Sequence, residues 1–309
     1  RWTRSRRRAA APISIGAASG ISWQPWSSCS PLRHQVRGTL WITPDRPGSA
    51  PHDIGVRTAS PLCAPPRQDV YRDGVNRLDL DLGSRLVPFR EGRELQRRIH
   101  ADVADGRRAS TLILLEHEAV YTVGRRAHSW ERPDGAFVEP GHVPVLDVDR
   151  GGKTTWHGPG QLTVYPIVRL ASPVDVIEYV RALEAAVIDV CARRGLATHR
   201  IEGRSGVWVA ADPESSSSVR RMERKVCALG VRVARGATMH GIGLNVDPDL
   251  TSFDLDRIVP CGIDDAGVTS LAAETGVHLR AVDLADDVSA ALTERLAPMV
   301  AHCTPIRIA

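Results

Sequence analysis

Apolar periodicity begins near residue 78 and runs to the C-terminus, and nothing like it precedes that point. Only segments that repeat at about 2.0 or 3.6 residues present one face to a core, so the fold has to be built from residues 77–309. The first 76 residues instead carry Arg-Ser-Arg-Arg-Arg at 4–8 and nine prolines from Pro12 to Pro66. No amphipathic helix or strand pair can be placed among them, so they read as a basic, Pro/Arg-rich extension. Either this extension is disordered, or it lies upstream of the true start: no Met precedes Met222, and Val70 or Val75 offers an alternative initiation point. Arg4–Arg8 followed by Ala9–Ile21 has the outline of a twin-arginine or transit signal, but its apolar run is weak and broken by Pro12, so export is not expected.

Charge follows the same division. Residues 1–76 hold 11 Arg against 4 Asp/Glu, whereas residues 77–309 hold 29 Lys+Arg against 32 Asp/Glu. The basic balance belongs to the extension, so the folded part offers no basic groove for nucleic acid. No run of about eighteen apolar residues exists to span a membrane. The six cysteines (Cys29, Cys63, Cys191, Cys227, Cys261, Cys303) form no Cys-x-x-Cys and no close His/Cys spacing. Neither a metal site nor a disulfide framework is expected, and a cytoplasmic location is.

Within the folded part, Phe89, Leu95, Ile99 and Val103, ended by Gly106, predict an amphipathic helix. Thr111–Leu115, Val143–Val148 and Leu162–Val168 read as strands. Ser172-Pro173 is read as the cap of a long helix stopped by Gly195, with Val176, Val180, Leu183, Val187 and Val190 as its core stripe. Val207–Ala210 and Val226–Val233 read as paired strands around the loop 212–224, followed by a strand at Leu244–Val246, a short helix near 268–275 and a helix from Ala281 to Leu296. Strands and helices mix without strict alternation, which predicts one α/β (α+β mixed) domain.

Three segments carry chemistry. Only two lysines, Lys153 and Lys225, stand against 38 arginines. An arginine never gives up its proton at usable pH and a lysine amine can, so a retained lysine hints at a role that needs an amine. Arg150-Gly151-Gly152-Lys153-Thr154-Thr155-Trp156-His157-Gly158-Pro159-Gly160-Gln161 packs four glycines into a short stretch, which lets backbone N–H groups approach a ligand. It lacks the Gly-Lys-Ser/Thr ending of a phosphate loop and is not a dinucleotide fingerprint. Cys261 sits on a turn in Val259-Pro260-Cys261-Gly262; as a nucleophile it would need a cation nearby to favour the thiolate, and on spacing alone a structural cysteine is the simpler reading. Cys191 and Cys227 lie on apolar faces and read as core.

Taken together these segments resemble the lipoyl(octanoyl) transferase family. Arg150–Gln161 is similar to its glycine-rich signature, and Glu116-His117-x3-Tyr121-Thr122-x-Gly124-Arg125 to an earlier motif. Lys225-x-x-Ala228-Leu229-Gly230-Val231-Arg232 resembles its lysine strand, His240-Gly241-x-Gly243-Leu244-Asn245 the segment after it, and Val259–Gly262 with Val268–Leu271 its nucleophile loop. The resemblance implies a fold shared with biotin and lipoate protein ligases, mixed sheets packed on helices, and makes 77–309 an octanoyltransferase catalytic domain. It implies transfer of an octanoyl group from octanoyl-acyl carrier protein to a lysine of lipoyl domains, those of 2-oxoacid dehydrogenase E2 subunits and the glycine cleavage H protein, without metal or cofactor. By matching position Cys261 would form the acyl thioester, with Lys225 lowering its pKa or moving a proton. Arg150, Gly151, Gly152, Lys153, Thr154, Thr155, Trp156, His157, Ala228, Leu229, Gly230, Gly241, Ile242 and Gly243 would line the acyl site, with Gly262 a further oxyanion donor. Lys153, at a variable position of the signature, is placed at the surface or the pocket edge.

Trp156 replaces the family's usual Tyr or Phe and is expected to reshape the acyl pocket. Loop 212–224 is longer than the usual hairpin, and Gly243 stands where Ala is common. Two other readings compete: an ATP-dependent lipoate or biotin-type ligase, which needs no nucleophilic cysteine, and an inactive scaffold binding acyl carrier protein or lipoyl domains. Pro260-Cys261-Gly262 together with His157-Gly158-Pro159-Gly160-Gln161 argues against the ligase, and the intact Lys225 and Cys261 argue against the scaffold.

Overall fold

The structure is a computed structural model that describes residues 68–70, 75–213, 221–254 and 266–301. All of them fall in the unit Ser60–Ala309. The described chain includes β1 (Gln68–Val70) and β2 (Val75–Asp79), so β1 and the start of β2 lie on the N-terminal side of the boundary drawn at residue 77.

Two sheets carry the fold. The larger adds β3 (Ser110–Leu115), β8 (Gln161–Ile167), β9 (His199–Ile201), β10 (Arg204–Val209), β11 (Arg224–Ala234) and β12 (Ala237–Asn245), in the order β1-β2-β3-β8-β12-β11-β10-β9. A two-residue strand, β13 (Gly267–Val268), runs parallel beside β11. The smaller sheet contains β4 (Val120–Val123), β5 (Phe137–Val138), β6 (Val143–Asp147) and β7 (Thr154–His157), in the order β5-β6-β4-β7.

The central strands of the large sheet are buried on both faces, and their alternation shows which residue serves which core. Leu112, Leu114, Leu162 and Val164 pack beneath α2 (Val176–Arg193) and α4 (Ala285–Leu296). Their neighbours Ile113, Leu115, Tyr165 and Ile167 pack on the opposite face with Ile99 and Val103 of α1 (Phe89–Ala104). Burying each large side chain contributes roughly 1.5–3 kcal/mol, so the sheet is fixed in register by two cores at once. The α1 helix follows the predicted spacing at Phe89, Ile99 and Val103, while Leu95 is only partly buried and Gln96 lies inside.

The second helix departs from its prediction at the start. It begins at Val176 and not at Ser172-Pro173, because the Asp175 carboxylate accepts hydrogen bonds from Ile177 N (2.9 Å) and Glu178 N (3.0 Å). This start turns Val176 outward to 42% exposure and brings Tyr179 into the core ahead of Leu183, Val187 and Val190. The helix ends at Arg193, with Gly195 just beyond, as expected. The last predicted helix begins as a 3₁₀ turn, Ala281–Leu284, before α4. Cys191 and Cys227 are fully buried in the core, as predicted. Burial pushes the Cys191 thiol up to about 11 and Cys227 well above the usual thiol value, so neither is a nucleophile. Residues 214–220 of the expected long loop lie outside the described residues.

Candidate active site

Strands β11 and β12 pair with Ala228 opposite Gly243 and Gly230 opposite Gly241. Four positions that are Ala or Gly leave little side-chain volume above this part of the sheet. A cavity of about 280 Å³ opens there, near the small end of ligand pockets at about 300–1,000 Å³. Leu229 and Ile242 add apolar wall, and the glycine-rich segment closes the opposite side through Arg150, Gly152, Lys153, Thr154, Thr155 and His157. Gly230 is what lets this loop come close: a Cβ there would lie 2.9 Å from Gly151 O and 2.8 Å from Arg150 Cδ. Gly151 N donates to Val231 O at 2.9 Å, which ties the loop to β11.

Arg150 is buried, and its guanidinium holds the loop together. Nη1 donates to Gly151 O (3.0 Å) and Lys153 O (2.8 Å), while Nη2 donates to Thr122 O and Thr122 Oγ1, both at 2.8 Å. Lys153 sits at the cavity edge with Nζ 2.5 Å from Glu131 Oε1. The turn Gly158–Gly160 is anchored separately, with Gly160 N donating to Glu116 Oε1 at 2.9 Å.

Two of the residues expected to line the site do not. Gly151 serves the loop–strand hydrogen bond just described. Trp156 alternates away from the cavity on β7 and packs with Tyr121, Val123, Val145 and Phe253, meeting the Phe253 ring edge-on at 5.3 Å. The expectation that Trp156 reshapes the acyl pocket is therefore corrected: as a strand neighbour of Thr155 and His157, it points to the other core.

Lys225 does reach the cavity, and a β-bulge puts it there. Val207 pairs with Cys227 but Trp208 pairs with Lys225, so Val226 has no partner on β10. The extra residue reverses the alternation: Val226 and Cys227 both pack in the core, and Lys225 falls on the cavity side with Ala228 and Gly230. Lys225 is 6% exposed, and its Nζ lies 4.6 Å over the centroid of the Trp208 ring. Its carbonyl accepts from Thr269 N at 3.0 Å, and β13 pairs Val268 with Lys225 itself. Cys261 and Gly262 lie outside the described residues.

The polar floor of the cavity is neutral. His157 Nδ1–H donates to Gln161 Oε1 at 2.7 Å, which leaves Nε2 as an acceptor. Burial first, then the charges of His117 and Arg150, push His157 down to about 3. His117 Nδ1–H donates to Val87 O (2.8 Å) and its Nε2 accepts the Tyr165 hydroxyl at 2.6 Å. Burial holds His117 down to about 4 and pushes the Tyr165 phenol up. Gln161 Nε2 donates onward to Asn245 Oδ1 (2.9 Å), and Asn245 Nδ2 to Thr269 O (2.9 Å), so one hydrogen-bonded chain joins His157 to Thr269, whose N–H donates to Lys225 O.

At the far wall His240, with φ of 60°, donates from Nε2 to Asp149 Oδ1 at 3.0 Å, and Asp149 also pairs with Arg232. The His240 hydrogen bond holds the Asp149 carboxyl well below its usual range. His240, Phe89, Arg126, Tyr165 and Gly203–Ser205 line the cavity without having been assigned to it. His240 and its motif were visible in the sequence; Tyr165 and Phe89 read only as core.

The fold is two mixed sheets on helices, with a buried lysine over a hollow between small-residue strands. The Lipoyl protein ligase A/B catalytic domain family matches residues 89–294. An octanoyltransferase of Salinispora tropica is 58% identical over 194 residues, covering 62% of this chain and 83% of that protein. An octanoyltransferase of Thermobifida fusca is 55% identical over 193 residues, covering 62% and 78%. Among solved structures, lipoate-protein ligase A bound with ATP superposes with a TM-score of 0.45 at 17% identity, over 66% of this chain and 80% of that one. The chain belongs to the lipoyl protein ligase A/B catalytic domain family and is an acyltransferase.

Proposed function

We propose that this enzyme transfers an octanoyl group from octanoyl-acyl carrier protein to a specific lysine of lipoyl domains, through a thioester on Cys261. The observation that carries the reading is the bulge-directed Lys225 at a cavity with an apolar wall of Leu229 and Ile242, in a chain whose relatives are named octanoyltransferases. Val268, the strand partner of Lys225, is seven residues beyond Cys261 in the sequence, which supports pairing of the two groups. The acceptors on this reading are the E2 subunits of 2-oxoacid dehydrogenases and the glycine cleavage H protein, and the reaction is cytoplasmic. Among the described residues no helix is long and apolar enough to cross a membrane.

The chemistry needs no ATP. The Cys261 thiol gives its proton to Lys225, the thiolate attacks the donor's thioester carbonyl, the new C–S bond forms as the carrier's C–S bond breaks, and the carrier sulfur leaves as a thiol with the proton returned by Lys225. The lysine amine of the lipoyl domain then attacks, the bond to Cys261 breaks, and the proton lost by the amine returns to the thiol or to Lys225. Exchange of thioester for thioester is close to balanced, and amide formation drives the second half. Lys225 serves as an ammonium beside the thiolate or, as a free amine, as proton acceptor. Leu229 and Ile242 cover the acyl chain, each buried methylene contributing about 0.8 kcal/mol.

The test mixes purified enzyme, octanoyl-acyl carrier protein and unmodified lipoyl domain without ATP, and follows the mass of the lipoyl domain. We expect addition of one octanoyl group, and a fall of roughly 10²–10⁴-fold in rate for Lys225→Ala. Modification that requires ATP and free octanoate would assign the chain to the ligases instead. No modification by either route would leave a binding scaffold.

A further inference from the structure

Lys225 presents a problem that the reaction alone does not answer. Its amine is nearly buried, yet among the described residues no hydrogen bond or ion pair to Nζ is formed. What lies against it is the face of Trp208, at 4.6 Å from the ring centroid. Trp208 is itself 1% exposed, and its indole N–H is buried without a partner among the described residues. A buried orphan N–H is costly, and Phe would fill much of the same space without it. The position therefore gains something from the indole that packing does not explain, and the ring face offers it: attraction between a cation and the aromatic quadrupole, strongest for Trp.

The backbone is arranged to make that contact. Trp208 and Lys225 are direct cross-strand partners at the bulge, the arrangement that brings side chains closest on one face. Gly206, two residues before Trp208, has φ of 123°, and a Cβ there would stand 3.0 Å from Lys225 Cε and 2.8 Å from Cys227 O. Bare backbone on one side and an indole face on the other leave the lysine stem one channel.

We propose that Trp208 is a positioning residue: its ring seats Lys225 Nζ as an ammonium at the cavity, in the space that Gly206 keeps open. This rests on the reading of Lys225 as the chemical partner of the acyl transfer, and the test separates the two.

With only two lysines in the chain, [13C]lysine labelling gives a spectrum in which Lys153→Arg assigns both ε-methylenes. In the wild type the Lys225 ε-methylene is shifted upfield by the indole ring current. Trp208→Leu removes that shift and lowers kcat by roughly five- to thirtyfold with the donor KM unchanged. Trp208→Phe, which keeps a weaker ring, falls between. An unchanged Lys225 signal in Trp208→Leu would overturn the proposal. So would activity losses in both variants that match only the loss of folded protein by circular dichroism. If Lys225→Ala keeps full activity while Trp208→Leu moves the lysine signal, the catalytic reading of Lys225 fails and the seat stands as geometry alone.

Discussion

Arg150 shows how much a single buried side chain contributes to this site. The resemblance places it on the acyl substrate, and it does line the cavity, but its guanidinium is engaged by four oxygens of the protein. Through Thr122 it fastens the glycine-rich loop to β4, and through Gly151 O and Lys153 O it sets the loop's own shape. A lysine has a single ammonium on a flexible stem and cannot reach four acceptors in that planar pattern. Arg150→Lys therefore removes most of these buried, charge-assisted hydrogen bonds and is expected to cost about 2–4 kcal/mol in urea unfolding. A loss below about 0.5 kcal/mol, the range of ordinary surface changes, would show that the clamp is dispensable.

At the scale of the element, the strands that build the cavity are ordinary except where one residue too many is inserted. Without the bulge at Val226, Lys225 would share a face with Cys227 and Leu229 and point into the core beneath α2. The sequence shows Lys225 on a strand but not which face it takes, because the bulge is defined by pairing with β10 and not by any local pattern. The same distinction explains the rest of what was legible. The α1 stripe, the strand at Ser110–Leu115 and the end of α2 near Gly195 are set by nearby residues and were readable. The start of α2 was misread because Ser172-Pro173 and Asp175 are both good starting signals, and the choice depends on which side chain reaches the free N–H groups. The glycine-rich loop was legible through its residue types, and the β11–β12 residues of the hollow only through the family resemblance. Tyr165 and Trp208 were not, since each gains its place from a partner in another segment: His117, 48 residues before Tyr165, and Lys225, across the bulge from Trp208.

For the whole molecule, the buried histidines make an unusual acid limit. His117 is held down to about 4 and His157 to about 3, both mainly by burial. The unfolded chain takes up these protons below about pH 6.5, the folded one only near those lower values. Between these limits the unfolded state binds more protons, so stability is fully present above about pH 7 and falls as pH drops from about 6.5 toward 4. His240, also held below its usual value by burial, adds in the same direction. Depressed carboxyls such as Asp149 and Glu274 add a further loss only below about pH 4. Urea midpoints at fixed ionic strength are expected to decline already between about pH 6.5 and 5. A midpoint that stays level down to about pH 5 would mean these imidazoles are protonated in the fold.

The proposed transfer depends on an acyl-enzyme at Cys261. The direct measurement is the intact mass of the protein after mixing with octanoyl-acyl carrier protein alone, for the wild type and for Cys261→Ser. We expect one octanoyl group on the wild type, released by hydroxylamine, and none that hydroxylamine releases on the variant. An equally labile adduct on Cys261→Ser, or none on a wild-type enzyme that still modifies lipoyl domains, would contradict the acyl-enzyme at Cys261.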